Sequence, residues 1–473
     1  MMLFQKSKTK GLLLLWIFCV PFISCKKDDS EILQDDEPII DDEPIDDDPN
    51  PSDEHALEIE WVKTFGGSNE EDAAVIKETT NGGYIVLGYT KSTDGDITDK
   101  TTTDNDLWVM QLSNEGSIQW SKTYGGSDDE RGTDIINTAD GGYAMVGYTR
   151  SNDGDITENA GFYDYWIVKL NNQGDIQWQK TYGFSGNDQA NSVIQTADGG
   201  YLITGFLDVS ASGGAGNDNR SSGSRHGVGE FWAIKTDAQG DYQWRQYFGG
   251  TNNDRPYDVI EAENGDFIMV GNSESVDFDI TDPKGSYDYW AVRIKNTGEL
   301  VWAKNYGGSG IEIAYSIITI GDGNYLIIGD TRSSDQDVSD NYGNADAWLV
   351  KIDGNGNLLW QKNHGGSQFD TGRSVHELDN GTIFVAGTSR SQDIDVTNNN
   401  GQSDAWLYIT SADGTLLWEK NIGGSSLEFA NNSIKTTDNK ILVVGNSESN
   451  DIDIPENKGL KDVMVIKLKK QNP

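Results

Sequence analysis

The sequence has few of the residues that build most catalytic and metal centres. It contains two cysteines and four histidines among 473 residues. Two cysteines cannot form the disulfide framework of a small secreted domain, and cysteine and histidine ligands for zinc are lacking. The histidines have no partner at a catalytic spacing, and no nucleophile elbow is present. These absences weigh against catalysis, although a carbohydrate-active hydrolase or lyase that uses carboxylates remains an alternative.

Basic residues are also scarce. The chain has 36 Lys and Arg against 77 Asp and Glu, which gives a formal net charge of −41. Binding to nucleic acid needs basic stripes that neutralise phosphates, so we predict no nucleic-acid partner. The same charge repels anionic membrane surfaces, so any membrane attachment would have to be covalent.

Residues 1–25 have the features of an export signal. Three lysines precede an apolar run, residues 11–23, which is too short to span a bilayer as a helix. An ordinary secretory signal is one interpretation. The segment Phe22-Ile23-Ser24-Cys25 resembles the lipobox of bacterial lipoproteins, and this resemblance implies acylation of Cys25. Several acyl chains on one cysteine would anchor the protein stably.

Residues 26–56 are predicted to be a disordered acidic tether. The segment contains 14 acidic residues and two lysines, so it has little to bury. As a flexible coil it would span ~30 Å. Its first residues, 26–30, resemble the export signal of lipoproteins on the outer face of the Gram-negative outer membrane. A calcium-collecting arm is the alternative to a plain spacer.

Tryptophans recur with a period of about 58 residues over residues 57–470, which indicates a repeat architecture. The first series is Trp61, Trp120, Trp178, Trp244, Trp302, Trp360 and Trp418, and the second is Trp108, Trp166, Trp232, Trp290, Trp348 and Trp406, with Met464 in register. Each unit has the pattern of four short strands, A to D, joined by turns that contain glycine.

Seven units of four strands predict an all-β fold, a seven-bladed β-propeller of four-stranded blades. The folded part begins with a lone strand A and ends with a lone strand D. Pairing of the N-terminal strand with the C-terminal blade would therefore close the ring and remove two unpaired edges. The two tryptophans of each D–A hairpin are expected to be near cross-strand neighbours that pack one blade against the next.

The A–B loops carry Gly-Gly-Ser or Gly-Gly-Thr, with an acidic residue three positions after the Ser or Thr. Such a carboxylate can accept backbone N–H bonds from a tight loop, so we predict a structural role. This acid occurs in every unit, as Glu71, Glu130, Asp188, Asp254, Glu312, Asp370 and Glu428.

The C–D loops carry an Asp-x-Asp motif. The motif residues are Asp94, Asp96, Asp153, Asp155, Asp277, Asp279, Asp335, Asp337, Asp393, Asp395, Asp451 and Asp453, with further acids at Asp99, Asp282 and Asp340. Oxygen ligands at alternate positions suit Ca²⁺, but Asp side chains also build ordinary Asx turns. Repeated calcium sites and plain turn chemistry are therefore the two interpretations of this motif.

The C–D loop of the third blade, residues 208–229, departs from the pattern. It lacks Asp-x-Asp, is eight residues longer, and contains Arg220, Arg225 and His226. We expect either a disordered insertion or a loop that determines binding specificity. If strand B is innermost, the A–B and C–D loops lie on one face, and the short hairpins lie on the other.

The D–A hairpins, such as residues 346–360, resemble the repeats of pyrroloquinoline-quinone-type and WD-type propellers. The metal site, the disulfide and the greater blade number of the quinone enzymes are absent, so we carry over no cofactor. The leading hypothesis is a cell-surface lipoprotein whose propeller binds a glycan, a protein or a Ca²⁺-bridged partner. A passive scaffold of an envelope complex is a further alternative to an enzyme.

Overall fold

The computed structural model describes residues 54–219 and 226–471. These residues form 28 strands arranged in seven four-stranded antiparallel sheets. The signal, most of the predicted tether, and Arg220 and Arg225 lie outside the described residues. Within the part that is described, no helix has the length and apolarity that crossing a membrane requires.

Each sheet is one blade, and its strands follow one another along the chain. Blade 1 is β2 (Glu71–Glu78), β3 (Tyr84–Thr90), β4 (Asp106–Leu112) and β5 (Ile118–Tyr124). Blade 2 is β6 (Glu130–Asn137), β7 (Tyr143–Thr149), β8 (Asp164–Leu170) and β9 (Ile176–Tyr182). Blade 3 is β10 (Gln189–Gln195), β11 (Tyr201–Leu207), β12 (Glu230–Thr236) and β13 (Tyr242–Phe248), with the short helix α1 (Val209–Ser212) between β11 and β12.

The later blades repeat this order. Blade 4 is β14 (Asp254–Glu261), β15 (Phe267–Ser273), β16 (Asp288–Ile294) and β17 (Leu300–Tyr306), with a 3₁₀ turn at Glu263–Gly265. Blade 5 is β18 (Glu312–Thr319), β19 (Tyr325–Thr331), β20 (Asp346–Ile352) and β21 (Leu358–His364). Blade 6 is β22 (Asp370–Glu377), β23 (Ile383–Ser389), β24 (Asp404–Thr410) and β25 (Leu416–Ile422).

Blade 7 closes the ring. Its strands are β26 (Glu428–Lys435), β27 (Ile441–Ser447), β28 (Asp462–Lys470) and the N-terminal β1 (Leu57–Phe65). Strand β1 pairs antiparallel with β28, from Leu57 opposite Lys470 to Phe65 opposite Val463. The predicted seven-bladed propeller and its closure by the N-terminal strand are therefore confirmed.

Apolar side chains fill the junctions between blades. The second tryptophan series is buried, and Trp232 packs against Tyr165 of the preceding blade with ring centroids 4.8 Å apart. The first series is partly buried on the outer strands, where Trp120 lies against Gly174 in the next blade's D–A turn. Packing between blades is thus as predicted.

The expected cross-strand pairing of the two tryptophans is wrong. In blade 1, Trp108 lies opposite Thr123, whereas Trp120 lies opposite Gln111. The two rings are separated along the ladder because Trp108 stands four residues before the end of β4, whereas Trp120 stands only two residues after the start of β5. Each tryptophan therefore contacts a neighbouring blade independently.

The blade connections define two faces. In blade 6 the loops at residues 365–369 and 390–403 lie together on what we call the loop face, where the Asp395 N–H donates to Gly365 O over 3.1 Å. The tight turns at residues 378–382 and 411–415 lie on the opposite, hairpin face. The predicted location of both acidic motifs on one face is therefore confirmed.

We predict that Gly387→Ala unfolds blade 6 locally. A Cβ at Gly387 would lie 1.8 Å from Thr371 O on the inner strand, and the rigid backbone cannot move away at low cost. The free energy of unfolding should fall by more than about 2 kcal/mol, measured by urea denaturation. Gly381→Ala is the control. Its Cβ would meet no atom within 4 Å, so the substitution costs only the strain of a side chain at positive φ, about 1 kcal/mol. Equal losses in both variants would contradict the close-packing argument.

Candidate functional site

The acid at the start of each inner strand holds the A–B loop. In blade 6, Asp370 accepts the N–H of Gly366 over 2.7 Å and also accepts the hydroxyls of Ser389 and Ser391. Equivalent N–H bonds to Glu71, Glu130, Asp188, Asp254, Glu312 and Glu428 occur in the other blades. The predicted structural role of these carboxylates is confirmed.

The Asp-x-Asp motif holds the same loop from the other side. Asp393 accepts the N–H of Ser367 over 2.8 Å, and Asp395 accepts the N–H of Gly365 over 3.2 Å. The same two bonds recur for Asp94 and Asp96, Asp153 and Asp155, Asp277 and Asp279, Asp335 and Asp337, and Asp451 and Asp453. In each of these six loops, three consecutive backbone N–H groups therefore meet carboxylates.

The further acids of the motif differ from one another. Asp99 accepts the backbone N–H and the hydroxyl of Thr123, Asp282 pairs with the Lys284 ammonium group, and Asp340 is exposed. Among the residues described, no group of three or more His, Cys, Asp and Glu side chains is placed to hold a metal ion. Calcium binding by these loops stays a prediction.

We expect Asp393→Ala to lower the melting temperature only slightly, because the exposed Ser367 N–H exchanges its carboxylate acceptor for water. If the motif works only through this bond, the melting temperature of the unmodified protein will be the same in Ca²⁺ and in a chelator. Calorimetry in the two buffers measures both effects. A melting temperature that rises with Ca²⁺, and no longer rises in Asp393→Ala, would favour the calcium interpretation.

A second carboxylate faces the inner-strand acid at each blade junction. Asp404 of blade 6 and Glu428 of blade 7 are both completely buried. Asp404 Oδ2 accepts the Asn400 N–H, whereas Oδ1 has no hydrogen-bond partner among the described residues. A Cβ on Gly423 would lie 2.5 Å from Asp404 Oδ1 and 2.7 Å from Glu428 Oε2, so only glycine fits between the two acids.

Burial raises the pKa of these second carboxyls, and the facing acid of the next blade raises several of them further. The pKa reaches about 6 in Asp106, Asp164, Asp288, Asp404 and Asp462, and about 7 in Asp346. The folded protein therefore holds protons that the unfolded chain releases near pH 4. The resulting stabilisation is fully present below about pH 4 and is lost as the pH rises through 6 and 7.

We predict that the melting temperature is higher at pH 5 than at pH 8. Burial lowers the pKa of His376 to about 4, so this group destabilises the folded protein below the ordinary pKa of histidine and opposes the trend. It is a single group, whereas several carboxyls act in the other direction. Asp346→Asn should raise the melting temperature at pH 8 by about 1–3 °C and reduce its pH dependence, because the amide carries no charge toward Asp370. The exposed Asp340→Asn is the control. A profile that rises from pH 5 to pH 8 would contradict the assignment.

The insertion in blade 3 is folded over much of its length. Asp208 caps helix α1 by accepting the Ala211 N–H over 2.9 Å, and Val209 is buried. The Trp232 indole donates to Gly216 O over 2.8 Å and fixes the following turn to the blade. The expectation of a disordered insertion is therefore wrong for residues 208–219 and 226–229, because apolar and indole contacts tie the loop to the core.

His226 lies inside the protein. Its side chain is buried, Nδ1 is 3.1 Å from Glu230 Oε2, and the ring stacks on Phe278 with centroids 4.5 Å apart. Arg220 and Arg225 are not among the described residues. Ligand binding by this loop stays a prediction, and the described contacts of His226 are those of a buried structural residue.

A cavity of about 530 Å³ lies on the propeller axis and is lined by all seven inner strands. Every inner strand has a β-bulge, and the residue at the bulge lines this central channel. The bulge residues are Ala74, Thr133, Asn191, Tyr257, Tyr315, Arg373 and Asn431. In blades 4 to 6 they are therefore large, with rings or a guanidinium group.

Two carboxyl groups also line the channel. Asp134 and Asp258 both accept the Ser192 hydroxyl over 3.2 Å, and each also accepts backbone N–H groups of an adjoining inner strand. Burial raises the pKa of Asp258 to about 6 and also raises that of Asp134. Lys77 stands 3.9 Å from Asp134 on the neighbouring blade. Because they accept N–H bonds from the next inner strand, these two acids connect neighbouring blades.

The described arginines divide into two groups. Of the eight arginines that the structure describes, Arg131, Arg150, Arg245 and Arg293 form ion pairs within 4 Å of a carboxylate. The other four, Arg255, Arg332, Arg373 and Arg390, have no such pair among the described residues, and we call them the arginine sector. All four belong to blades 4 to 6.

Within the arginine sector, Arg373 lines the channel, whereas Arg255, Arg332 and Arg390 lie at or next to the loop-face ends of their strands. Arg255 and Arg373 stand on inner strands, where their guanidinium carbons lie 4.6 Å from the Phe206 ring centroid and 3.7 Å from the Tyr315 ring centroid. Arg332 and Arg390 directly follow strands β19 and β23 and are exposed. Sequence reasoning missed this sector because it searched for what the repeats share. The usable signal was that bulge positions 257, 315 and 373 depart from the small or polar residues of the other units.

The comparisons with known proteins are distant. No protein family matches the chain. The regulatory protein FlaEY of Caulobacter vibrioides is 21% identical over 179 residues, which are 36% of this chain and only 18% of that relative. The propeller domain of the Trilobed protease from Pyrococcus furiosus is 8% identical with a TM-score of 0.42, covering 88% of this chain and 97% of that one.

Two further solved structures are similar at the same level. YCF48 bound to a D1 peptide is 10% identical with a TM-score of 0.42, covering 88% of this chain and 97% of that one. Puromycin hydrolase is 11% identical with a TM-score of 0.43, covering 80% of this chain and 51% of that one. The propeller assignment therefore stands on the strand order of this chain itself.

Proposed function

We propose that the protein is a surface lipoprotein that presents its propeller as a binding module, with the loop face of the central channel as the binding surface. The observation that carries this proposal is the arginine sector, four cationic side chains that have no ion-pair partner among the described residues, in a protein of net charge −41. Cationic side chains that lack an acidic partner within the described chain are available to pair with an anionic group of a partner from outside.

The strand order leaves the loop face accessible. Strand β1 begins at Leu57 opposite Lys470 and ends at Phe65 beside the first loop-face loop, so the chain enters the propeller at the hairpin face. The entering chain therefore does not cover the loop face, which stays open to a glycan or an envelope protein.

The hydrolase alternative has less support. The carboxylates of the loop-face motifs accept backbone N–H bonds, and Asp134 and Asp258 in the channel do the same. A glycosidase needs one carboxyl that donates a proton and one that is free to act as a nucleophile or base. Binding rather than turnover is therefore the function that this arrangement favours.

The anchor can be tested by fractionation. We expect the full chain to incorporate labelled palmitate and to sediment with the outer membrane, whereas Cys25→Ala is unlabelled and appears in the soluble fraction. Surface display is measured by digestion of the propeller with protease added to intact cells. Labelling that persists in Cys25→Ala, or a propeller that resists protease until the cells are broken, would contradict the proposal.

The binding surface can be tested with the same chain. The immobilised protein should retain envelope glycan or protein from a detergent extract, and a double variant, Arg332→Gln with Arg390→Gln, should retain at least about tenfold less. Arg293→Gln is the matched control, because Arg293 pairs with Asp266 on the hairpin face. Equal retention by both variants would remove the loop face as the binding surface.

A further inference from the structure

We propose that a row of aromatic side chains on blades 1 and 2 binds an uncharged glycan, with one hexose ring stacked on Phe162. The row consists of Tyr89, Tyr148, Tyr163 and Phe162, lies on the loop face, and is called the aromatic row below. This inference rests on the binding function proposed above. It adds the class of ligand at a second position of the same face, since the arginine sector belongs to blades 4 to 6.

The aromatic row occupies positions at which the repeats differ. Tyr89 and Tyr148 are the next-to-last residues of their C strands, and Phe162 and Tyr163 directly precede strand D of blade 2. In blades 4 to 7 the residues at the C-strand position are polar, namely Asn272, Asp330, Thr388 and Asn446. The residues at the Phe162 position of the other blades are Asp104, Val228, Ser286, Asn344, Gln402 and Leu460. Blade packing, which recurs in every unit, therefore does not require these rings.

The rings form one continuous set of contacts. The centroid of Phe162 lies 4.9 Å from that of Tyr163, and the centroid of Tyr163 lies 5.2 Å from that of Tyr148. Arg131 is the cross-strand neighbour of Tyr148, and its guanidinium carbon lies 4.9 Å from the centroid of Tyr89. The two ring pairs meet edge to face, an arrangement that aromatic rings favour. The contacts therefore hold the rings in fixed orientations.

Phe162 offers a ring surface to a ligand. Its side chain is 50% exposed, although the guanidinium carbon of Arg150 lies 4.5 Å from the ring centroid and Tyr163 meets the ring edge-on. A large exposed ring that is already held in one orientation loses little conformational freedom when a ligand covers it. The C–H groups of a hexose ring can pack on such an aromatic surface while its hydroxyls stay free for polar groups.

The charged groups beside the row are paired with one another. Arg131 Nε lies 3.2 Å from Asp129 Oδ1, and Arg150 Nε lies 3.5 Å from Asp128 Oδ2. The side chains of Arg150 and Asp128 are 41% and 46% exposed, so the other N–H groups and lone pairs of this pair can reach the hydroxyls of a sugar. The net charge of −41 repels an acidic glycan but not an uncharged one. The row therefore favours a neutral saccharide.

The test is calorimetric titration of the purified full chain with cellotetraose, a neutral β-linked tetrasaccharide whose rings carry C–H groups on both faces. We expect binding whose affinity does not change with salt, because the ligand has no charge to screen. Phe162→Ala should lower the affinity at least about tenfold, whereas Phe162→Trp should keep it, because a larger ring preserves the stacking surface.

The matched control is Leu460→Ala. Leu460 occupies on blade 7 the position that Phe162 occupies on blade 2, and it is 63% exposed. Its replacement should leave the affinity for cellotetraose unchanged. Circular dichroism and the melting temperature show whether each variant is folded. Phe162→Leu, which keeps the apolar bulk without the ring, should also lose affinity and carries the test if Phe162→Ala does not fold.

Four results would overturn the assignment. They are an absence of cellotetraose binding, unchanged affinity in the folded Phe162→Ala and Phe162→Leu variants, a similar loss in Leu460→Ala, and tighter binding of the acidic disaccharide digalacturonate. Tighter binding of a decaproline peptide would overturn it as well, because proline-rich protein segments dock on aromatic-lined grooves. If the immobilised protein still retains envelope material, and the Arg332→Gln and Arg390→Gln double variant does not, the binding function stands and only the glycan assignment fails.

Discussion

The propeller depends on the capture of loop N–H groups by carboxylates. Each A–B loop turns sharply between an outer strand and the inner strand of the next blade, which leaves successive backbone N–H groups without partners in a sheet. Successive N–H groups that point the same way form a natural anion site, and buried ones must be satisfied. In blade 6 the carboxylates of Asp370, Asp393 and Asp395 accept hydrogen bonds from these N–H groups.

This arrangement explains much of the chain's acidity. The acids of the repeats are acceptors for backbone groups and are needed at every junction, so they accumulate as the unit is repeated. A second carboxyl, such as Asp404, packs against the inner-strand acid and takes a raised pKa because both are buried. Gly423 between them leaves no room for a side chain. The charge that first excluded nucleic acid is therefore largely part of the architecture.

The ring is regular in its loops and irregular at its centre. Loop acids, junction glycines and buried tryptophans recur from blade to blade because each junction poses the same packing problem. Bulge residues face the channel, where no neighbouring strand restricts their size. Tyr257, Tyr315 and Arg373 can therefore differ from Ala74 and the other bulge residues without disturbing a blade. In a closed repeat protein, a functional site is expected at positions where the residues differ from one repeat to the next.

Sequence reasoning reached the fold because the signals are local. The tryptophan period, the glycine turns and the lone strands at the two ends predicted seven blades, their strand order and the closing pair. It failed where the answer depended on register or on distant chain segments. Trp108 and Trp120 share a hairpin but not a cross-strand pair. His226 stands in a glycine-rich loop but is buried against Phe278, which a different blade contributes.

The sequence by itself thus determined the repeat, the topology and the face on which the acidic loops lie, since hydrophobic periodicity and turn chemistry act over a few residues. Only the tertiary structure decided which side chains meet. Closing the ring brings residues from successive units, about 58 positions apart, into contact around one axis. That geometry directs the loop acids to backbone N–H groups. It also places Arg373 at the channel and three further arginines toward the loop face, all without an ion pair among the described residues, a distribution that no single repeat contains.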